Sequence, residues 1–269
     1  MIVQGGTRIG LIIGHPVGQV QSPGLFNRHF ASRDEDAVLV PLDIAPDRLA
    51  AFLQAMRGMA NVSGCIVTVP HKVAVVPHLD QLSDVAQRLR AANVIRRDED
   101  GRLSGDNVDG IGFTMAAGPH GYDAKGSTAL VIGAGGVGSA IADALCAAGV
   151  SRLVLTDLVA ERAAWLARTL ATSFPDVALM AAGMPEDLAG FDLVANATPV
   201  GMGAQAALPM SKSLIATLNP AAIVADVVTE PAETALLRAA KARGCRVQAG
   251  PEMAAAQMRA LGRFMGMMD

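Results

Sequence analysis

The chain has 269 residues, of which 51% are hydrophobic, 17% charged and only 3% aromatic, with a formal net charge of −3. That length accommodates one large domain or two moderate ones, with cores built from Ala, Val, Leu, Ile and Met. The acidic balance excludes the basic footprint of a nucleic-acid binder and any electrostatic draw toward an anionic membrane surface.

In chain order, residues 8–13 read as a strand that Gly14-His15-Pro16 breaks. No basic stretch followed by a long apolar one precedes it, so no secretory signal is expected. Ser22-Pro23 opens a helix, with Ser22 as N-cap and Pro23 at the first helical position. Residues 38–42 form a second strand, and 46–56 a helix with Leu49, Phe52, Leu53 and Met56 on one face. A third strand at 65–69 is closed by Pro70-His71-Lys72. A helix at 82–89, a strand at 93–96 and a turn at 98–101 follow. This alternation implies a mostly parallel sheet.

A second α/β pattern begins near Asp109, with a helix at 110–117 and a loop at 118–126. Residues 128–157 then combine an apolar run, glycines at Gly133, Gly135 and Gly138, an Ala-rich helical segment, Gly149 as a stop and a second apolar run ending in Asp157. Strand, G-x-G-x-x-G turn, helix and a later acid are the parts of a dinucleotide-binding unit. Gly133 permits the sharp turn, Gly135 lets backbone approach a pyrophosphate, and Gly138 lets the helix pack on the sheet. The helix N-terminus attracts phosphate. A carboxylate at Asp157 accepts ribose hydroxyls and repels the extra phosphate of NADP. Leu158 and Val159 supply no cation, so NAD is the expected cofactor. Asp157 also suits the cap of the next helix, and the two roles are compatible. Beyond this unit lie a helix at 160–170, strands at 177–180 and 193–197, a Pro- and Gly-containing loop at 198–210, a strand at 223–228, and helices at 234–242 and 251–265.

The three cysteines, Cys65, Cys146 and Cys245, are scattered, with no metal-ligand spacing to the five histidines. They suit a reducing cytoplasm. The longest apolar region is the nucleotide unit itself, whose glycines and Asp143 argue against a membrane span. For chemistry, hydride exchange with NAD needs a group that takes or returns the hydroxyl proton. Lys72, just after a strand, and Asp109, in the loop 105–110 before a helix, are the candidates. On the residues alone, a surface ion pair or a helix cap is the commoner explanation for such groups. Gly105, Gly110 and Gly250 read as hinges for domain motion.

Ser22-Pro23 with Asn27, then residues 67–72 (VTVPHK) and 105–110 (GDNVDG), resemble the shikimate/quinate dehydrogenase family. So do Gly133-Ala134-Gly135-Gly136, residues 196–202 (NATPVGM), Asp226-Val227-Val228 and the segment 250–257, in the family's order and over nearly the whole chain. The resemblance implies two α/β domains. The first is a substrate-binding domain from residues 1–108, completed by 245–269, with a mostly parallel sheet. The second is a Rossmann NAD-binding domain at 109–244. It implies oxidation of a ring hydroxyl on a small alicyclic hydroxy acid by a monomer or homodimer. Lys72 and Asp109 match the family's catalytic pair, with Lys72 as general acid/base. Thr68, Asn93 and Gln257 match positions that hold substrate hydroxyls, and Ser22 the second hydroxyl of a Ser-x-Ser that grips the carboxylate. The cofactor would be met by Gly133, Ala134, Gly135, Gly136, Val137, Gly138, Asp157, Thr198, Pro199, Val200, Met202, Val227 and Gly250.

This chain also departs from the family. Val20 stands where the first carboxylate-binding Ser is expected, and Thr229 where a Tyr helps at the same end. Val94 replaces a Thr, and Ile66 a common Asn. Losing a hydrogen bond to a charged group costs roughly 1.5–3 kcal/mol. Slow shikimate turnover and a related preferred substrate are therefore expected. Thr229 is expected to contact the substrate, and the alternatives are a dehydrogenase for a ring alcohol lacking the carboxylate, which Val20 and Thr229 motivate, and a non-catalytic NAD-binding sensor.

Overall fold

The apolar run after Arg8 folds as β1 (Arg8–Gly14), from which the first sheet grows outward on both sides. The computed structural model describes residues 2–203 and 207–269. The chain divides into two units, Met1–Val108 with Gln257–Asp269, and Asp109–Ala256.

In the first unit β1 is followed by α1 (Ser22–Ser32), β2 (Ala37–Asp43), α2 (Leu49–Met56), β3 (Val62–Val67), β4 (Gln81–Leu82), α3 (Asp84–Leu89), β5 (Val94–Arg97) and β6 (Leu103–Asp106). The sheet order is β2-β1-β3-β5-β6-β4. β1 runs parallel to β2 and β3, and β4 parallel to β6. β5 is antiparallel to β3 and β6. The short turn between β5 and β6 permits only this, because a parallel return needs a crossover of about a dozen residues. Alternation along the strands sorts the core. Leu11, Ile13, Cys65 and Val67 face the cluster holding Leu53 and Met56 of α2. Ile12 and Ile66 face the other way, toward Phe26, Phe30, Leu261 and Met265. Ser22 is the first helical residue of α1 and not its cap; Gln21 takes that place, with no side-chain bond. Pro23 is tolerated there because the first N–H groups of a helix have no intrahelical partner.

The second unit contains α4 (Asp109–Ala117), β7 (Thr128–Ile132), α5 (Gly136–Ala147), β8 (Arg152–Thr156), α6 (Ala160–Ser173), β9 (Ala178–Ala181), β10 (Leu193–Asn196), α7 (Lys212–Ile215), β11 (Ile223–Asp226), α8 (Ala235–Ala242) and β12 (Arg246–Gln248). Its sheet, β12-β11-β10-β7-β8-β9, is parallel throughout. The order reverses at β7, so the crevice beyond β7 and β10 is a switch point where ligands bind in such sheets. α9 (Gly250–Phe264) closes the chain, and only its part from Gln257 groups with the first unit. β12 pairs with β11, so residues 246–248 belong to the sheet of the second unit. Of the expected loop at 198–210, residues 204–206 lie outside the described residues. Among the described residues no helix is long and apolar enough to cross a membrane.

Candidate active site

The turn after β7 is built around Gly133, whose φ of +100° is a left-handed conformation that glycine adopts without strain. Its N–H donates to the Thr156 carbonyl at 2.7 Å, tying the turn to the end of β8. A side chain at Gly138 would put its Cβ 1.8 Å from the Gly133 carbonyl oxygen, so only glycine lets α5 sit this close. Gly135 caps α5, and a Cβ there would meet nothing within 4 Å. Open space beside the N-terminus of a helix is the shape a pyrophosphate needs.

Asp157 organises the same turn. Its Oδ2 accepts from the Ala134 N–H at 2.7 Å and its Oδ1 from the Val159 N–H at 2.8 Å. A carboxylate offers about four acceptor sites, leaving capacity for hydroxyl donors. Leu158 is fully exposed and Val159 42% exposed, which leaves an apolar rim without a cation beside the carboxylate. The fold and these residues fit a nicotinamide dinucleotide. Gly136 and Val137 continue the turn into α5.

Across the switch point, the segment after β10 is self-bonded. Thr198 Oγ1 donates to Asn196 Oδ1 at 2.6 Å, the Val200 N–H to Thr198 Oγ1 at 3.2 Å, and the Met202 N–H to the Pro199 carbonyl at 3.1 Å. Buried Asp226 accepts from Asn196 Nδ2 at 3.0 Å, the Val228 N–H at 3.1 Å and Thr234 Oγ1 at 2.7 Å. Burial pushes its carboxyl above the usual carboxylate value, against the pull of these three bonds. The network ties the ends of β10 and β11 to the start of α8, whose cap is Thr234. Val227 and Thr229 leave β11 half-buried. Gly250 starts α9 so close that a Cβ would lie 2.2 Å from the Val228 carbonyl oxygen.

In the first unit the expected substrate residues gather where β3 ends and β5 begins. The Thr68 N–H donates to the Ile13 carbonyl at 2.9 Å, and the Thr68 carbonyl accepts from the His71 N–H at 2.9 Å. This turn carries half-buried Lys72, whose carbonyl accepts from the Ala92 N–H at 2.8 Å. Buried Asn93 accepts the Val108 N–H on Oδ1 at 2.9 Å, and its own N–H donates to the Asp106 carbonyl at 2.9 Å. Asp109 follows Val108 directly, buried in the first turn of α4, where the helix dipole favours a carboxylate. Ser22 lies at the start of α1 and Gln257 within α9, both half-buried.

The structure thus brings Thr68, Lys72 and Asn93 to one sheet edge of the first unit. It brings residues 133–138, 157, 198–202, 227–229 and 250 to the strand-end edge of the second. Sequence reasoning gave no role to three polar groups at these edges. His15 Nδ1 lies 2.6 Å from Asp43 Oδ1 and holds that carboxyl below its usual value. His71, 1% exposed, has Nε2 2.7 Å from the Ile44 carbonyl. Asp226 anchors the network described above. The signal for Asp226 was available, as a polar residue ending an apolar strand. His15 and Asp43 offered none.

Comparison with known proteins places this geometry. The family model "Shikimate dehydrogenase substrate binding domain" matches residues 12–95. The shikimate dehydrogenase (NADP(+)) of Moorella thermoacetica is 38% identical over 256 residues, covering 93% of this chain and 85% of that one. The solved ligand-free 5-ketofructose reductase of Gluconobacter sp. strain CHM43 has a TM-score of 0.89 at 27% identity, covering 96% of this chain and 92% of that one. The quinate dehydrogenase of Corynebacterium glutamicum, solved with NAD, has a TM-score of 0.86 at 30% identity, covering 96% and 93%.

Proposed function

The chain belongs to the shikimate dehydrogenase family, and on that premise we propose that it is an NAD-dependent dehydrogenase. It reversibly oxidises a ring hydroxyl of a small alicyclic compound of the shikimate–quinate class. The observation that carries the cofactor assignment is Asp157, a carboxylate fixed on the Ala134 N–H beside the open space at Gly135. The Moorella relative is named for NADP(+) and the Corynebacterium quinate dehydrogenase is solved with NAD, so the cofactor reading rests on the residues after β8. Here they are Asp157, Leu158 and Val159, which favour two ribose hydroxyls and disfavour a phosphate.

The bound nicotinamide would supply the hydride acceptor. Gly133, Ala134, Gly135, Gly136, Val137 and Gly138 would hold the pyrophosphate on the N-terminus of α5. Thr198, Pro199, Val200, Met202, Val227 and Gly250 would line the other half of the cofactor site. Lys72 takes the proton from the substrate hydroxyl during oxidation and returns it during reduction, and Asp109 orients that hydroxyl. Thr68, Asn93 and Gln257 bind the neighbouring hydroxyls, with Ser22 and Thr229 at the far end. The 5-ketofructose reductase is named for a ketose that carries no carboxylate, so this scaffold also serves neutral carbonyl compounds.

The test is the appearance of reduced cofactor with shikimate and quinate, NAD and NADP in parallel. Turnover with NAD well above NADP is expected. A preference for NADP refutes the cofactor assignment. In Lys72→Met, turnover should fall by about a thousandfold, the contribution of a positioned acid/base, with NAD binding intact. Retained turnover refutes the role of Lys72.

A further inference from the structure

Asp109 stands in the first turn of α4, a helix whose own sequence holds it weakly. Residues 109–117 read DGIGFTMAA, with two glycines and a β-branched residue in the first four positions. Glycine is among the poorest helix formers. α4 packs on α5, where Gly110 lies against the Ala140 carbonyl. Contact at small residues fixes how close two helices come. A hydrogen bond to one particular carbonyl also fixes rotation and position along the axis, because it is directional.

Such a bond comes from β12. Gln248 is 1% exposed, and its Nε2 donates to the Phe113 carbonyl at 3.3 Å. Phe113 is fully buried and lies one turn beyond Asp109 on the same face of α4. All three residues belong to the second unit. Two further links reach only the short turn after α4, Gly118–His120. Arg246 Nη1 donates to the His120 carbonyl at 2.5 Å, and His120 Nε2 lies 2.9 Å from Glu252 Oε1. Both are exposed, where such contacts contribute little.

An amide is also a poor choice for packing alone. Among the described residues, Gln248 Oε1 is buried without a hydrogen-bond partner. A buried acceptor left unpaired lowers stability, and an apolar side chain of the same length avoids that loss. A local rule broken in this way marks a functional site. We propose that Gln248 is a positioning residue for Asp109, holding α4 at the rotation that aims the carboxylate at the substrate hydroxyl. This rests on the dehydrogenase reading given above. The cofactor side does not depend on the amide, because β12 is held by β11 and Gly250 by its contact with the Val228 carbonyl.

The experiment replaces Gln248 with Met, which keeps the length and adapts to the same space, in the full chain with NAD and the faster of shikimate and quinate. For Gln248→Met, kcat should fall by about tenfold or more, the scale of a reacting group displaced by less than 1 Å, with the Michaelis constant for NAD within about twofold. The urea midpoint should equal or exceed that of the wild type. A kcat within about twofold of the wild type overturns the inference, whatever the midpoint does. The route is tested by combining the substitution with Asp109→Asn. In that background Gln248→Met should change kcat by less than about twofold, since two residues acting through one group are not additive. The full loss recurring there overturns the action through Asp109. Turnover of neither acid by the wild type, in protein shown to bind NAD, overturns the dehydrogenase reading and this inference with it.

Discussion

Asp157→Asn removes a charge while keeping a shape. In the native chain the carboxylate accepts two backbone N–H groups, from Ala134 at 2.7 Å and Val159 at 2.8 Å. The amide retains one oxygen, so one N–H keeps a neutral acceptor and the other turns toward water. Charge-assisted bonds contribute about 1.5–3 kcal/mol and neutral ones about 0.5–1.5 kcal/mol. Because the side chain is only half-buried, solvent recovers part of the difference, and the turn loses about 1–2 kcal/mol. A ribose hydroxyl that donates to this carboxylate weakens by a similar step, about tenfold in the Michaelis constant for NAD. For NADP the sign reverses. Removing a unit charge beside a dianionic phosphate relieves about 2 kcal/mol of repulsion at a dielectric between that of a protein surface and water. The NAD-to-NADP ratio of kcat/KM should therefore fall by about two orders of magnitude. Initial rates with both cofactors and one substrate measure it. A ratio that moves less than about threefold would show that Asp157 only holds the turn and does not choose the cofactor.

Gly110→Ala brings a Cβ to 2.1 Å from the Ala140 carbonyl oxygen and 2.7 Å from Ala144 Cβ. Forcing α4 from α5 should destabilise the protein by about 2–3 kcal/mol, read as a lower urea midpoint; an unchanged midpoint refutes the packing role. Asp80 has its carboxyl held below the ordinary value of 3.8 by the Arg57 guanidinium and the Leu103 N–H. Its contribution is complete above 3.8 and is lost as pH falls through the depressed value. The stability gap between the wild type and Asp80→Asn should therefore narrow in acid, and a gap that widens there refutes the assignment.

Much of the second unit was legible because its constraints admit one residue type. Gly133 and Gly138 are demanded by a positive φ and a carbonyl at contact, and the apolar runs around them leave one arrangement of strand, turn and helix. The short strands were not legible. β6 reads Leu-Ser-Gly-Asp and β12 Arg-Val-Gln, with no periodicity, and each exists because a neighbouring strand supplies its partners. Pairings that depend on tertiary approach were equally hidden. His15 and Asp43 are 28 residues apart, and nothing in either neighbourhood marks them as partners.

The glycines at the expected hinges show why residue type alone underdetermines the site. Gly105, Gly110 and Gly250 look interchangeable in sequence, each near a boundary and each free to rotate. In the structure a Cβ would lie 2.4 Å from Leu79 Cδ1 at Gly105, 2.1 Å from the Ala140 carbonyl oxygen at Gly110 and 2.2 Å from the Val228 carbonyl oxygen at Gly250. At Gly105 the neighbour is the end of the flexible Leu79 side chain, whereas at Gly110 and Gly250 a backbone carbonyl of another segment in the same unit has closed to contact. A large backbone rotation there would drive that segment away and forfeit the packing that selected glycine. These positions are closely packed joints. At Gly250 the contact also fixes the start of α9 against the end of β11, the strand that leads to Val227 and Thr229. That close approach sets the start of α9 beside Val227 and Thr229 on one side of the proposed cofactor site.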